Sequence, residues 1–178
     1  ALPIYETFRY VACKPNYYIA PTNKDKHGKE LWNHHKMVKR TMFNYDGVEG
    51  GKTGYTTKAG GTLVTFAKRG DQELIVVDLC AHGYELYEDT IKMLNYGFNN
   101  YKTIAPFKTM NTVLKDDTYG FLKTGNELSQ YKIPLKHLND VTVMLEKKQS
   151  ASKLTYKCKD NKYIISYDGK QIGSVKLY

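Results

Sequence analysis

The chain has 178 residues, enough for one domain or two small ones with a buried core. No apolar run is long enough to cross a bilayer as a helix. Three cysteines, odd in number and without a Cys-x-x-Cys spacing, support neither a zinc site nor a disulfide framework.

The net charge of +9 is shared unevenly along the chain. Residues 1–107 carry 14 Lys and Arg against 11 Asp and Glu, whereas residues 108–178 carry 13 against 7. Such a surplus suits an anionic surface such as a cell-wall polymer or an acidic lipid. The 16 tyrosines offer stacking faces for sugars or bases. No nucleic-acid-binding motif is recognisable, so we expect no nucleic-acid partner.

The chain opens in a helix that is already under way. Ile4, Phe8 and Val11 fall on one stripe of residues 1–11. Natural N-termini seldom begin in this way, so we expect a fragment or a cleavage product. A short strand follows at residues 16–21.

Two adjacent histidines, His34 and His35, follow that strand. Neighbouring side chains point apart on a helix or a strand, and Glu30 would add only a second ligand. We therefore predict no metal site and interpret the pair as polar residues near a cleft.

The most distinctive stretch runs from Asp46 to Thr56 and predicts a glycine-flanked strand. In an extended strand Lys52 and Gly54 share one face. The lysine supplies positive charge beside a nucleophile or a substrate carboxylate, and the glycine lets another backbone come close. An exposed strand edge offers N–H and C=O groups to an extended peptide. A Lys-Thr-Gly triplet alone also fits a surface lysine in a glycine-rich turn.

Two further strands and a helix come next. Residues 60–67 are β-rich, and residues 73–80 form an almost continuous apolar run that predicts a strand covered on both faces, with Cys80 buried. Gly97 is placed to end the helix. One helix covers only one side of a sheet, so we expect a missing partner segment. The helical spacing is carried by Tyr84, Tyr87, Ile91, Leu94 and Phe98.

The character changes near residue 107, after which short strands alternate with turns. This pattern predicts a small all-β domain, and Asp168-Gly169 is a strong hairpin signal. We therefore place one domain at residues 1–107 and a second at residues 108–178. The strands are predicted at residues 111–114, 119–122, 131–135, 141–145, 154–158, 163–167 and 172–178.

The order of elements resembles the last third of the catalytic domain of serine D-alanyl-D-alanine carboxypeptidases, the low-molecular-mass penicillin-binding proteins. Residues 45–107 carry the resemblance, chiefly through Gly47–Thr56 and Glu88–Phe98. It implies an α/β fold, the C-terminal part of a penicillin-binding/β-lactamase-like transpeptidase domain with an antiparallel sheet and packed helices. For the small all-β domain that follows, the resemblance rests on size, position and strand pattern.

The resemblance implies a hydrolase that removes the terminal D-Ala of peptidoglycan stem peptides through an acyl-enzyme and that β-lactams stop at that stage. Lys52 and Tyr55 would be catalytic, Tyr55 through its backbone N–H in the oxyanion hole. Thr53, Gly54 and Thr56 would bind substrate, with the Thr53 hydroxyl on the carboxylate of the D-alanyl peptide. The family is extracytoplasmic, at the wall or membrane, and we expect no cofactor or metal.

The chain departs from the family in its nucleophile motifs. The family's Ser-x-x-Lys and Ser-x-Asn lie upstream of the Lys-Thr-Gly strand, and this chain has no Ser-x-Asn. Its two Ser-x-x-Lys matches, Ser129–Lys132 and Ser150–Lys153, lie downstream in polar stretches, and we interpret both as surface turns. The chemistry needs serine and lysine one turn apart on a buried helix. We therefore expect an N-terminal segment of the same protein to supply the serine.

A second departure is Leu86, where family members commonly carry an arginine that helps to clamp the substrate carboxylate. A leucine cannot make that charge-assisted bond. This leaves an alternative of another class, a catalytically weak or inactive penicillin-binding-like module that binds the cell wall.

Overall fold

The computed structural model describes residues 5–38, 42–106, 112–114, 119–124, 127–128, 133–134, 141–160 and 162–176. The chain divides into two compact units, Ala1–Asn99 and Asn100–Tyr178. Within the described residues, no helix combines the length and the apolarity that crossing a bilayer requires.

The first unit is built on a three-stranded antiparallel sheet in the order β3-β4-β5, with a separate antiparallel hairpin, β1-β2. The opening helix is confirmed as α1. The elements are α1 (Glu6–Ala12), β1 (Asn16–Ile19), β2 (Lys29–Trp32), β3 (Val48–Thr56), β4 (Gly60–Arg69), β5 (Gln72–Ala81) and α2 (Glu85–Asn100).

One face of the sheet packs under α2. Leu63 of β4 and Val76 of β5 share a buried cluster with Leu94 and Phe98 of the helix. The helix does not end at Gly97 as predicted but continues to Asn100. A Cβ at residue 97 would lie 2.6 Å from Cδ1 of Leu74, so the glycine serves close packing of α2 on β5.

The opposite face of the sheet is largely uncovered in the described structure. Ile75, Val77 and Leu79 of β5 alternate onto this face and are 55%, 54% and 67% exposed. The prediction that β5 is covered on both faces is therefore wrong for the described residues. Cys80 is also exposed rather than buried. The strand pairing shifts at this residue and its φ is +63°, as in a β-bulge.

Helix α1 covers one end of this second face and is tied to the sheet by charges. Arg9 Nε donates to Glu49 Oε2 of β3 at 2.7 Å, and Arg9 Nη2 lies 3.4 Å from Glu73 Oε1 of β5. Lys68 Nζ donates to the same Glu73 oxygen at 2.9 Å. The hydrogen bond from Lys68, together with the nearby Arg9 charge, lowers the pKa of Glu73.

The second unit consists of antiparallel strands, and the small all-β domain is confirmed as part of the fold. Strand β11 pairs with β6, and β12, β13 and β14 form a three-stranded sheet. The elements are β6 (Tyr101–Ile104), β7 (Thr112–Leu114), β8 (Tyr119–Thr124), β9 (Glu127–Leu128), β10 (Ile133–Pro134), β11 (Val143–Glu146), a 3-10 helix (Ala151–Lys153), β12 (Leu154–Lys159), β13 (Lys162–Tyr167) and β14 (Lys170–Lys176).

This unit begins before the predicted domain boundary at residue 107. Residues 101–104 pair as β6 with β11, so this strand belongs to the second unit. The division into a catalytic part and a C-terminal domain at residues 107 and 108 stays a prediction. The predicted hairpin at Asp168-Gly169 joins β13 to β14, and both residues have positive φ, +49° and +80°, as a type I′ turn requires.

Candidate functional site

The Lys-Thr-Gly strand β3 lies at an edge of its sheet. Among the described strands it pairs with β4 alone. Its second edge can therefore present backbone N–H and C=O groups to an extended peptide. Lys52, Gly54, Tyr55 and Thr56 are exposed on this strand, and Thr53 is half-buried.

The strand register places Lys52 on the uncovered face of the sheet. Lys52 lies opposite Val64, which lies opposite Val77. Directly opposed residues of antiparallel strands share a face, so the lysine stands in one row with half-buried Val64 and exposed Val77. Its Nζ donates to the carbonyl of Thr53, and no carboxylate among the described residues makes an ion pair with it. The result is an ammonium group at the margin of an open apolar surface.

Gly54 occupies the next row of the same face. It lies opposite Thr62, and a Cβ at residue 54 would lie 2.5 Å from the Thr62 Oγ1 atom. The predicted sharing of one face by Lys52 and Gly54 is consistent with this register. Because no side chain projects from residue 54, the surface beyond Lys52 stays open to an approaching group.

His35 supports the strand from behind, on the opposite face. The ring is buried and its Nε2 lies 2.9 Å from Thr65 Oγ1. A Cβ at Gly51 would lie 2.8 Å from that nitrogen and would overlap the carbonyl oxygen of Val64. Glycine at residue 51 is therefore required for β3 to lie against the histidine. Burial lowers the pKa of His35 to about 4, so the imidazole is neutral near pH 7.

The two histidines do not act as a pair. His34 is exposed, whereas His35 is buried behind the sheet rather than in a cleft. Sequence reasoning therefore missed the supporting role of His35, because no pattern links it to a glycine sixteen positions later. Among the described residues, no group of three His, Cys, Asp or Glu side chains is placed to hold a metal ion.

Two other residues singled out in the sequence have structural partners. Leu86 is buried, and a Cβ at Gly61 would lie 3.2 Å from its Cδ1, so its side chain belongs to the core. The hydroxyl of Thr56 accepts a hydrogen bond from the Ala59 N–H at 3.0 Å in the turn after β3. This turn contact was not predicted, and the substrate contact expected of Thr56 stays a prediction.

The downstream Ser-x-x-Lys match at Ser150–Lys153 lies in an exposed 3-10 turn, as the sequence predicted. Ser150 Oγ lies 2.8 Å from Ser152 Oγ, and Lys153 Nζ lies 3.5 Å from Asp168 Oδ2. Serine and lysine therefore have other partners there. The second match, Ser129–Lys132, lies outside the described residues.

Two known proteins have sequences similar to this chain, although no family model matches it. The D-alanyl-D-alanine carboxypeptidase DacF of Bacillus subtilis is 30% identical over 154 residues, which are 84% of this chain and 37% of that protein. The D-alanyl-D-alanine carboxypeptidase DacC of Escherichia coli is 35% identical over 77 residues, 43% of this chain and 18% of that protein. The chain is a relative of the D-alanyl-D-alanine carboxypeptidases. It corresponds to their C-terminal part and spans well under half the length of these relatives.

The predicted fold class of the chain is confirmed by a solved structure. Penicillin binding protein 5 of Haemophilus influenzae matches 96% of this chain and 49% of its own, with a TM-score of 0.59 and 22% identity. The chain thus has the fold of the C-terminal part of a penicillin-binding domain, followed by a small all-β domain.

Proposed function

We propose that the chain forms the C-terminal part of a serine D-alanyl-D-alanine carboxypeptidase. The enzyme removes the terminal D-Ala of peptidoglycan stem peptides, and β-lactams acylate it. The observation that carries the proposal is the Lys52 ammonium beside an open apolar face and an unpaired strand edge. A serine brought onto that face meets a positive charge and a peptide-binding edge together.

Each residue of the strand then has one role. The substrate extends along the edge of β3, and the serine hydroxyl attacks its penultimate carbonyl carbon. The C–N bond to D-Ala breaks, the leaving amine takes up the proton that the serine hydroxyl gives up, and water later hydrolyses the ester and restores the hydroxyl. Lys52 stabilises the charges near the serine, and the Tyr55 N–H donates to the oxyanion. Thr53 and Thr56 bind the terminal carboxylate, and Gly54 leaves room for the substrate backbone.

The serine comes from an N-terminal segment that packs on the uncovered face. Ile75, Val77 and Leu79 supply the apolar surface, and each such side chain contributes roughly 1.5–3 kcal/mol when fully buried. A helix seated there would hold its serine beside Lys52. The curated relatives are long enough for such a segment, since the match to DacF covers 37% of that protein. The site of action is extracytoplasmic, at the wall or membrane.

The activity can be tested in the protein that includes its upstream segment by measuring D-Ala release from a stem pentapeptide. We expect Lys52→Ala to lower kcat/KM by about 100-fold or more. Lys58→Ala is the matched control, because Lys58 is an exposed lysine in the turn directly after β3. Release at the wild-type rate by Lys52→Ala would refute the proposed role of the strand.

The alternative is a penicillin-binding-like module that holds cell wall without turnover. Leu86 favours it, because a core leucine cannot bind a substrate carboxylate. A folded protein that sediments with cell wall but neither releases D-Ala nor takes up a fluorescent penicillin would establish this alternative.

A further inference from the structure

The three-stranded sheet β12-β13-β14 has one buried and one exposed face. Leu154, Tyr163 and Ile165 point into the core of the second unit. Residues that alternate with them point outward. The outward surface, called the lysine face below, carries the exposed side chains of Lys157, Lys159, Lys162 and Lys176.

Three of these lysines stand in one row across the sheet. Lys159 lies directly opposite Lys162, which lies directly opposite Lys176. Neighbouring strands are only about 4.8 Å apart, and like charges in directly opposed positions destabilise a sheet. Lys157 adds a fourth charge two residues along β12, on the same face.

Three of the four lysines, Lys157, Lys159 and Lys162, have no ion-pair partner among the described residues, although Asp160 stands in the turn between Lys159 and Lys162. Ion pairs in the described part of the second unit join Lys148 to Glu146 and Lys153 to Asp168. A free sheet that keeps such a row bears an electrostatic cost that a bound polyanion would remove.

We propose that the lysine face binds a linear polyol-phosphate polymer. Regularly repeated phosphates on a flexible chain can follow a row of ammonium groups, each of which acts as a point charge. The choice of a polymer that occurs in cell walls rests on the proposed location of the protein. The lysine face itself shares no residue with the Lys52 strand.

Side chains around the row favour this polymer over nucleic acid and over a bilayer. Most of the other outward residues are small or polar, including Thr155, Ser166 and Ser174. Single-stranded nucleic acid is held largely by stacking on aromatic side chains, and the described residues of this face include none. Membrane surfaces are held by basic residues together with inserted apolar ones, whereas Ile164 here is half-buried and Ile172, at the β14 bulge, is only 39% exposed.

The row predicts opposite changes in stability and in binding. Replacing its lysines by glutamine removes repulsion in the free protein, so the Tm should rise at low ionic strength. The same replacement removes charges that hold phosphate, so affinity should fall. If these lysines only contact solvent, the replacement should change neither the Tm nor the affinity for the polymer.

The test is a calorimetric titration of the full chain with poly(glycerol phosphate) at low and at physiological ionic strength. The variant combines Lys157→Gln, Lys159→Gln and Lys162→Gln, and we expect its affinity to fall at least about tenfold. The control makes the same change at three exposed lysines of the first unit and has the same net charge. Those control positions are Lys24, Lys26 and Lys29.

An equal loss of affinity in the control would show that only net charge matters and would overturn the proposal. The proposal would also be overturned if the chain bound single-stranded RNA more tightly than the polymer, or if it bound anionic vesicles but not the polymer. If the triple variant does not fold, Lys162→Gln alone gives the same comparison, because Lys162 is central to the row. Loss of polymer binding by a variant that unfolds as cooperatively as the parent would support the site, whether or not the protein releases D-Ala.

Discussion

Gly51 and His35 together fix the position of the backbone that carries Lys52. The imidazole fills the space in which any side chain at residue 51 would lie, and its Nε2 lies 2.9 Å from the Thr65 hydroxyl oxygen. A neutral, buried ring beside a strand that presents an ammonium adds no competing charge. His35 therefore acts as a positioning residue for Lys52.

The pKa of His35 predicts an acid-sensitive component of stability. Its folded pKa is about 4, below the ordinary value of 6.5, so below about pH 6.5 the unfolded chain binds a proton that the folded chain does not. Stability is therefore fully present above that pH and is lost as the pH falls toward 4. Between about pH 7.5 and 5, we expect the free energy of unfolding to fall by roughly 2 kcal/mol through this group.

Urea unfolding at both pH values measures this component. His35→Asn should remove it, whereas His34→Asn, at the exposed neighbour, should keep the full pH dependence of the parent. The same pH dependence in His35→Asn as in the parent would show that the ring is not held neutral by burial.

The local sequence was sufficient to place Lys52 on its strand, because the flanking glycines and the strand pattern are features of neighbouring residues. It was insufficient to predict the exposure of Cys80 or the burial of His35. The exposure of Cys80 depends on a pairing irregularity against β4, and the burial of His35 depends on residues of β3, β4 and α2 meeting in space. Neither relation leaves a signal in a short window of sequence.

At the scale of elements, the two faces of β5 differ in their exposure. Val76 is buried under α2, whereas its neighbour Val77 is 54% exposed in the row of Lys52. Sequence reasoning identified the apolar run and the lack of covering helices. It predicted that both faces are buried because the sequence of β5 is apolar throughout. Such a run is the same whether the second face packs against this chain or against another segment.

Neighbouring valines give a matched pair for testing the uncovered face. Val76→Ser buries an unpaired hydroxyl under α2 and should lower the free energy of unfolding of this chain by about 2–3 kcal/mol. Val77→Ser should change it by less than about 0.5 kcal/mol. In the protein with its upstream segment, Val77→Ser should become destabilising by roughly 1–2 kcal/mol as well.

Chemical denaturation of both variants in both contexts provides these values. If Val77→Ser were equally harmless with the upstream segment attached, nothing would be packing on that face, and the proposed partner would have to bind elsewhere.

At the scale of the whole molecule, the chain consists of two units with separate cores and different chemistry. The first presents a lysine beside an open apolar face, and the second presents the lysine face of its three-stranded sheet. The sequence predicted two units and the hairpin at Asp168-Gly169. It placed the domain boundary at residues 107 and 108, which stays a prediction, and it gave no sign of the pairing of β6 with β11, which joins strands about forty residues apart.

The most direct measurement is mass spectrometry of the protein with its upstream segment after reaction with a penicillin. We predict one acyl adduct, on a serine upstream of residue 1, and loss of that adduct in Lys52→Ala but not in Lys58→Ala. An adduct on Ser129 or Ser150, or labelling that is indifferent to Lys52, would contradict the account.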